Sequence, residues 1–186
     1  MACQTSSFHT CSMSSTVPVQ VDITGTGTRP PVIPASVYTL SISEGTPIGT
    51  SIFTITATDP EGSALTYAIT SGNNGDYAID INTGVITTVR ALDREVTPLY
   101  SLGLRATDVT SLSGRANLQI TITDINDNAP KFGSQLYNFN IDEGKPSETV
   151  VGSVAASDID AGVNGQFQYG IYSISPTGSG YQSNCS

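Results

Sequence analysis

Asp124-Ile125-Asn126-Asp127-Asn128-Ala129-Pro130-Lys131-Phe132 is the stretch around which the rest of the chain is organised. Its first five residues are crowded with side-chain oxygens, and Pro130 then holds the preceding residue in an extended conformation. Hard oxygen donors at this density suit a hard cation, Ca²⁺ above all. The same residues also serve a plain polar turn, because Asn, Asp and Pro are turn formers in their own right. An EF-hand is excluded: Ala129 stands where that loop needs Gly, Gln135 where it needs the closing Glu, and no helical periodicity flanks the stretch.

Composition narrows the fold. Hydrophobic residues make up 38% of the 186 and charged ones only 12%, while Thr, Ser, Gly and β-branched types abound. That is an all-β composition, short of the usual helix formers. Sixteen acids against seven bases leave a net charge of −9, so nucleic acid is not an expected partner. Nowhere does the sequence carry about 18 consecutive apolar residues, the length a spanning helix needs. The first twenty residues lack the basic start and apolar core of a signal peptide. Cys3, Cys11 and Cys185 leave one thiol unpaired and give no disulfide framework, so they do not report the redox compartment.

Period-2 alternation runs through the middle of the chain. Tyr38, Leu40 and Ile42 share one face; Phe53, Ile55 and Ala57 follow, then Leu65, Tyr67 and Ile69, then Tyr77, Ile79 and Ile81. After the Asn82-Thr83-Gly84 turn come Val85-Ile86, the run Tyr100, Leu102, Leu104, Ala106, and finally Ala116, Leu118, Ile120 and Ile122. About seven strands within roughly 100 residues predict a seven-stranded Greek-key β-sandwich of the immunoglobulin-like kind.

The chain then repeats itself. Tyr38 to Glu44-Gly45 recurs as Tyr137 to Glu143-Gly144, and Ala57-Thr58-Asp59 as Ala156-Ser157-Asp158, each at an offset of 99 positions. Backwards, the same offset sets residues 19–24 against 118–123. A fixed period with partial copies at both ends marks a tandem array. The expected division is 1–30, tail of a preceding repeat or irregular leader; 31–130, one complete repeat; and 131–186, a truncated second repeat. The last of these lacks strands to cover its apolar face and is expected to be poorly ordered alone.

Against this repeat the acids fall into a pattern. Glu44 closes the first strand, Asp93-Arg94-Glu95 follows Val85-Ile86, Asp124–Asn128 follows the last strand, and Asp158-Ile159-Asp160 opens the next unit. Together these residues resemble a cadherin repeat, whose markers are a Glu closing the first strand, Leu-Asp-Arg-Glu, Asp-x-Asn-Asp-Asn-x-Pro-x-Phe, and Asp-x-Asp in the following repeat. All four occur in order, as Glu44, Leu92–Glu95, Asp124–Phe132 and Asp158–Asp160.

The resemblance implies up to three Ca²⁺ at the 44–132/158–164 junction. Glu44, Asp93, Glu95 and Asp127 would face the outermost ion. Glu44, Glu95, Asp124, Asp127, Asp160 and the Ile125 carbonyl would face the middle one. Asn126, Asp158, Asp160 and the carbonyls of Asn128 and Asn164 would face the third, which normally takes a further Asp from later in the second repeat. Seven carboxylates against three divalent ions is −7 against +6, close to neutral. Without metal, each close pair of like charges costs about 1–4 kcal/mol at 4 Å.

The function implied is a calcium-binding extracellular cell-adhesion module, part of a longer plasma-membrane protein, with other cadherin-like ectodomains as partners. The alternative is a Ca²⁺-stiffened passive tether without an adhesive tip. An enzyme is disfavoured: the chain has no Trp to stack on a sugar, and its single His9 lies in an irregular leader. No small-molecule substrate is expected. Classical members adhere by exchanging an N-terminal Trp, so the absence of Trp points instead to an internal segment of a Fat-, Dachsous- or protocadherin-like array. The offset also sets Gly25-Thr26-Gly27-Thr28-Arg29 under Asp124–Asn128, leaving the front junction without carboxylates from the preceding side. Only Asp59, Glu61 and Asp108 remain there, and this junction is expected not to bind Ca²⁺ as its successor does.

Overall fold

In the computed structural model, residues 28–171 are described. Val19–Thr24, His9, Cys3, Cys11 and Cys185 lie outside them, so the expectations placed on those residues do too. Seven strands build the central unit: β1 (Val37–Ser43), β2 (Ser51–Thr54), β3 (Thr66–Ser71), β4 (Tyr77–Ile79), β5 (Val85–Thr88), β6 (Leu99–Thr107) and β7 (Ser113–Thr123). They form a four-stranded sheet ordered β1-β7-β6-β3 and a three-stranded sheet ordered β2-β5-β4. No helix occurs among the described residues, so the all-β reading holds.

Alternation explains the layering. Along β7 every second residue from Ala116 to Ile122 is buried, and along β6 Tyr100, Leu102, Leu104 and Ala106 are buried in the same way. Antiparallel register sets Leu102 opposite Leu118 and Tyr100 opposite Ile120. The two strands thus give one continuous apolar face. Ile55 and Ile86 meet it from the other sheet, and Ile55, Ile86, Leu102, Leu104, Leu118 and Ile120 are at most 1% exposed. Burying each such side chain is worth about 1.5–3 kcal/mol.

Strand β2 is shorter than its sequence pattern. It ends at Thr54; Ile55 enters the core just past it with its N–H on the Gly84 carbonyl, and the next bridge is the isolated Val32–Thr58 pair. Ile81, grouped with β4 by alternation, lies beyond the strand and is exposed. It sits in the turn that Gly84 closes with φ +72°, a conformation glycine adopts without penalty.

One pairing sets the position of everything that follows. Strand β1 runs parallel to β7, with Ser43 opposite Thr123. Both strands therefore end at the same end of the sandwich, and residues 44 and 124 emerge there side by side. Beyond them, Lys131–Phe132 (β8) pairs antiparallel with Ala156–Ser157 (β9). The second copy's counterpart of β1, residues 137–143, forms no strand. The physical reason is that β1 pairs with β7, and no counterpart of β7 follows residue 143 among the described residues.

Candidate metal centre

Three loops are drawn together at the rear end of the sandwich. Glu44 follows β1 and is only 5% exposed. Its Oε2 accepts the Arg94 backbone N–H at 2.7 Å and its Oε1 the Ile125 N–H at 2.8 Å. One carboxylate thus ties the β5–β6 loop and the segment after β7 to the end of β1. Buried Leu92 anchors the first loop, and the Asp93 carboxylate accepts the Val96 N–H at 2.9 Å, holding a tight turn.

The second segment's loop closes over this end. Because β9 finishes at Ser157, Asp158–Asp160 falls directly against the residues preceding β8. Asp160 is 7% exposed, and its two oxygens accept the Asn128 backbone N–H at 3.2 Å and its side-chain amide at 2.7 Å. Asp124 spends one oxygen on the Ala161 N–H (2.8 Å) and the Asn164 amide (2.9 Å), and the other on the Arg94 guanidinium.

Two groups of carboxylate oxygens result. Glu44, Glu95 and Asp127 form one, and Glu95, Asp124 and Asp160 the other; within each group the oxygens lie within 4.8 Å of one another. Glu95 belongs to both. Crowding of like charge is visible in the acidities. Desolvation, reinforced by Glu44, pushes the Glu95 carboxyl up, and desolvation with the charges of Glu44, Asp160, Asp93 and Asp124 raises Asp127. Asp124 goes the other way: desolvation opposes it, but hydrogen bonds from Asn164, Ala161 and Arg94 outweigh that and hold its pKa low.

Of the eleven residues picked out in the sequence, five carboxylates converge in these two groups. Asp93 lies close enough to act on Asp127 electrostatically, while the Asp158 carboxylate accepts the Asp160 N–H at 2.9 Å. Asn128 and Asn164 contribute their side-chain amides, which donate to Asp160 and Asp124, where the sequence suggested carbonyl oxygens. The Ile125 carbonyl accepts the Asp127 N–H at 3.1 Å, and Asn126 is exposed. Sequence reading passed over Arg94, which it treated only as the middle of Leu-Asp-Arg-Glu. Its guanidinium lies among the acids, pairing with Asp124 and Glu95 and donating to the Ile159 carbonyl at 3.1 Å. A cation flanked by two acids in a loop that feeds an acidic end was the available signal.

The donor set fits Ca²⁺. Carboxylates and backbone carbonyls without thiolate or imidazole are the ligands of a hard, high-coordination cation. Buried Glu44 and the raised pKa values of Glu95 and Asp127, from desolvation and neighbouring carboxylates, mark a negative cluster that a divalent ion would relieve.

A two-sheet sandwich whose first and last strands pair in parallel and deliver acidic loops to its junction with a following segment defines a tandem β-sandwich module. Residues 38–123 match the Cadherin domain family, and the chain carries a cadherin repeat. Cadherin-99C of Drosophila melanogaster is 39% identical over 163 residues, covering 86% of this chain and 10% of that protein. Human Protocadherin-15 is 40% identical over 148 residues, covering 76% of this chain and 7% of its own length. Among solved structures, mouse Cadherin-23 EC22-24 superposes with a TM-score of 0.74 at 29% identity, over 82% of this chain and 50% of that one. Human Protocadherin-24 EC1-2 does so with 0.65 at 28% identity, over 80% and 68%. The chain thus spans a tenth or less of the full-length relatives named here. Cadherin domains are adhesion-type extracellular modules rather than enzymes.

Proposed function

We propose that this chain is a calcium-binding segment of a membrane-anchored adhesion protein, in which Ca²⁺ stiffens the junction between the unit spanning 31–130 and the one beginning at 131. On this reading residues 1–30 belong to a preceding unit or leader, and 131–186 to the front of a second repeat. The observation that carries it is the convergence of Glu44, Glu95, Asp127, Asp124 and Asp160 into two oxygen groups sharing Glu95. Glu44, Asp93, Glu95 and Asp127 would hold the outer ion, with Asp124, Asp160 and the Ile125 carbonyl joining Glu44, Glu95 and Asp127 around the middle one. Asn126, Asn128, Asp158, Asp160 and Asn164 would serve a third. Bound Ca²⁺ supplies charge neutralisation; the chain's own residues supply the link between units, since Asn128 to Asp160 and Asp124 to Asn164 already bridge them.

Partners are other cadherin-like ectodomains, of the same or another protein, and the setting is the outer side of the plasma membrane. Calorimetric titration of the chain with Ca²⁺ tests the site. Binding in the wild type and a loss of at least about tenfold in Asp127→Ala, a removal of roughly 1.4 kcal/mol, is expected. Equal affinity in the two would sink the assignment. Bead aggregation with and without Ca²⁺, using a longer ectodomain, tests adhesion itself.

A further inference from the structure

We propose that Arg94 is a built-in competitor of the inner cation position: a tethered cation that holds the junction together without metal and must withdraw before Asp124 and Glu95 can coordinate. This rests on the calcium reading of the same junction. Three contacts place the guanidinium. Its Nε donates to Asp124, and its Nη2 donates to Glu95 and to the Ile159 carbonyl at 3.1 Å. Asp124 and Glu95 are two of the three members of one oxygen group. The other group, Glu44, Glu95 and Asp127, meets Arg94 only through Glu95, because Glu44 takes the Arg94 backbone N–H and not its side chain.

The arrangement is asymmetric, and that gives it consequences. A guanidinium is a planar fork, always charged, and suited to bridging two carboxylates. While it sits between Asp124 and Glu95, it pairs with two of the inner group's three carboxylates but with only one of the outer group's. The donation to Ile159 also fastens the first unit to the Asp158–Asp160 loop. Among the described residues, the only other ion pair is exposed Lys145–Asp142 at 3.8 Å, so Arg94 makes the junction's only ion pairs there. Two classes of Ca²⁺ binding follow: one at the outer group, weakly opposed by Arg94, and a weaker one at the inner group, which Arg94 opposes directly. Arg94 is a positioning residue for the metal-free junction and sets the spacing between the two affinities.

The test compares wild type with Arg94→Gln and Arg94→Lys by Ca²⁺ calorimetry, and by hydrogen exchange of residues 158–164 in chelator. Expected for Arg94→Gln is an inner-class affinity raised about three- to tenfold, with the two classes drawn together, and faster exchange at 158–164 without metal. Arg94→Lys keeps the charge but loses the fork, so its inner affinity should stay near wild type while exchange at 158–164 quickens. An inner affinity that falls or stays unchanged in Arg94→Gln overturns the competitor role. Unchanged exchange in chelator overturns the metal-free link, and this arm reads out even if wild type binds no Ca²⁺, an outcome that would count against the calcium reading itself.

Discussion

Gly84 illustrates how much of the fold hangs on a single backbone conformation. It closes the turn between β4 and β5 at φ +72°, its N–H donates to Asp80 and its carbonyl accepts the Ile55 N–H at 3.0 Å. A methyl placed on it would collide with the Ile55 carbonyl and press on the Ile55 and Tyr67 side chains. Ile55 is 1% exposed, so the collision is transmitted to the core. Gly84→Ala should therefore cost about 2–4 kcal/mol, combining left-handed strain with overpacking. Chemical denaturation will show it as a lower midpoint with an unchanged slope. A Gly49→Ala control shares a positive φ of 86° but has open space around it, and should lose only the strain component, about 1 kcal/mol.

Strands β4 and β6 carry a paired-tyrosine feature that alternation alone marks only as hydrophobic. Tyr77 and Tyr100 meet edge to face at 5.0 Å, and the Tyr100 hydroxyl donates to Asp76 at 2.8 Å. Burial, helped by the Asp76 hydrogen bond and charge, pushes Tyr100 from 10.0 up to about 12, and burial raises Tyr77 likewise. Since the unfolded chain ionises first, the stability these hydroxyls provide is fully present below pH about 10 and is lost as pH rises towards 12. Denaturation midpoints should fall steeply above pH about 10 in wild type and less so in Tyr100→Phe; parallel curves would refute the coupling. The strands themselves were legible because β1, β6 and β7 alternate over seven residues or more, whereas four-residue β2 was overextended to Ala57. Composition could not show that Tyr137–Ile141 stays unpaired, since that depends on a partner strand far along the sequence. The five converging acids were legible from order and spacing; Arg94 was not, because the side chain's direction depends on the folded loop. Absence of ladder partners predicts that amides at 138–155 exchange far faster than those of Leu118–Ile122, and equal protection would show that the second segment folds alone.

The two ends of the central unit differ in how many carboxylates they gather. At the rear, five carboxylates gather with a neighbouring segment supplying Asp160. At the front, Asp59 and Asp108 are each 7% exposed, and each spends one oxygen on its own loop: Asp59 on Glu61 and Ser63 N–H groups, Asp108 on Thr110 and Leu112. The second oxygen of each is buried without a hydrogen-bond partner. Buried orphan oxygens call for a water or a cation, so the front end is not inert. Among the described residues, no carboxylate from the preceding side joins them. Thr28, Arg29 and Pro30 are exposed, and the aligned Gly25–Arg29 brings no carboxylate where Asp124–Asn128 brings two. With Glu61 the front end has three carboxylates, still too few to fill a shell of six to eight oxygens. The prediction is that calcium binding by this chain is a property of the rear end. Glu95→Gln, which removes the charge of the carboxylate common to both rear groups, should abolish or weaken both binding classes at least tenfold, about 1.4 kcal/mol or more each. Asp59→Asn combined with Asp108→Asn should leave both classes intact in the same calorimetric titration. If that double variant instead loses an equivalent of bound Ca²⁺, the front end binds metal on its own and the asymmetry is wrong.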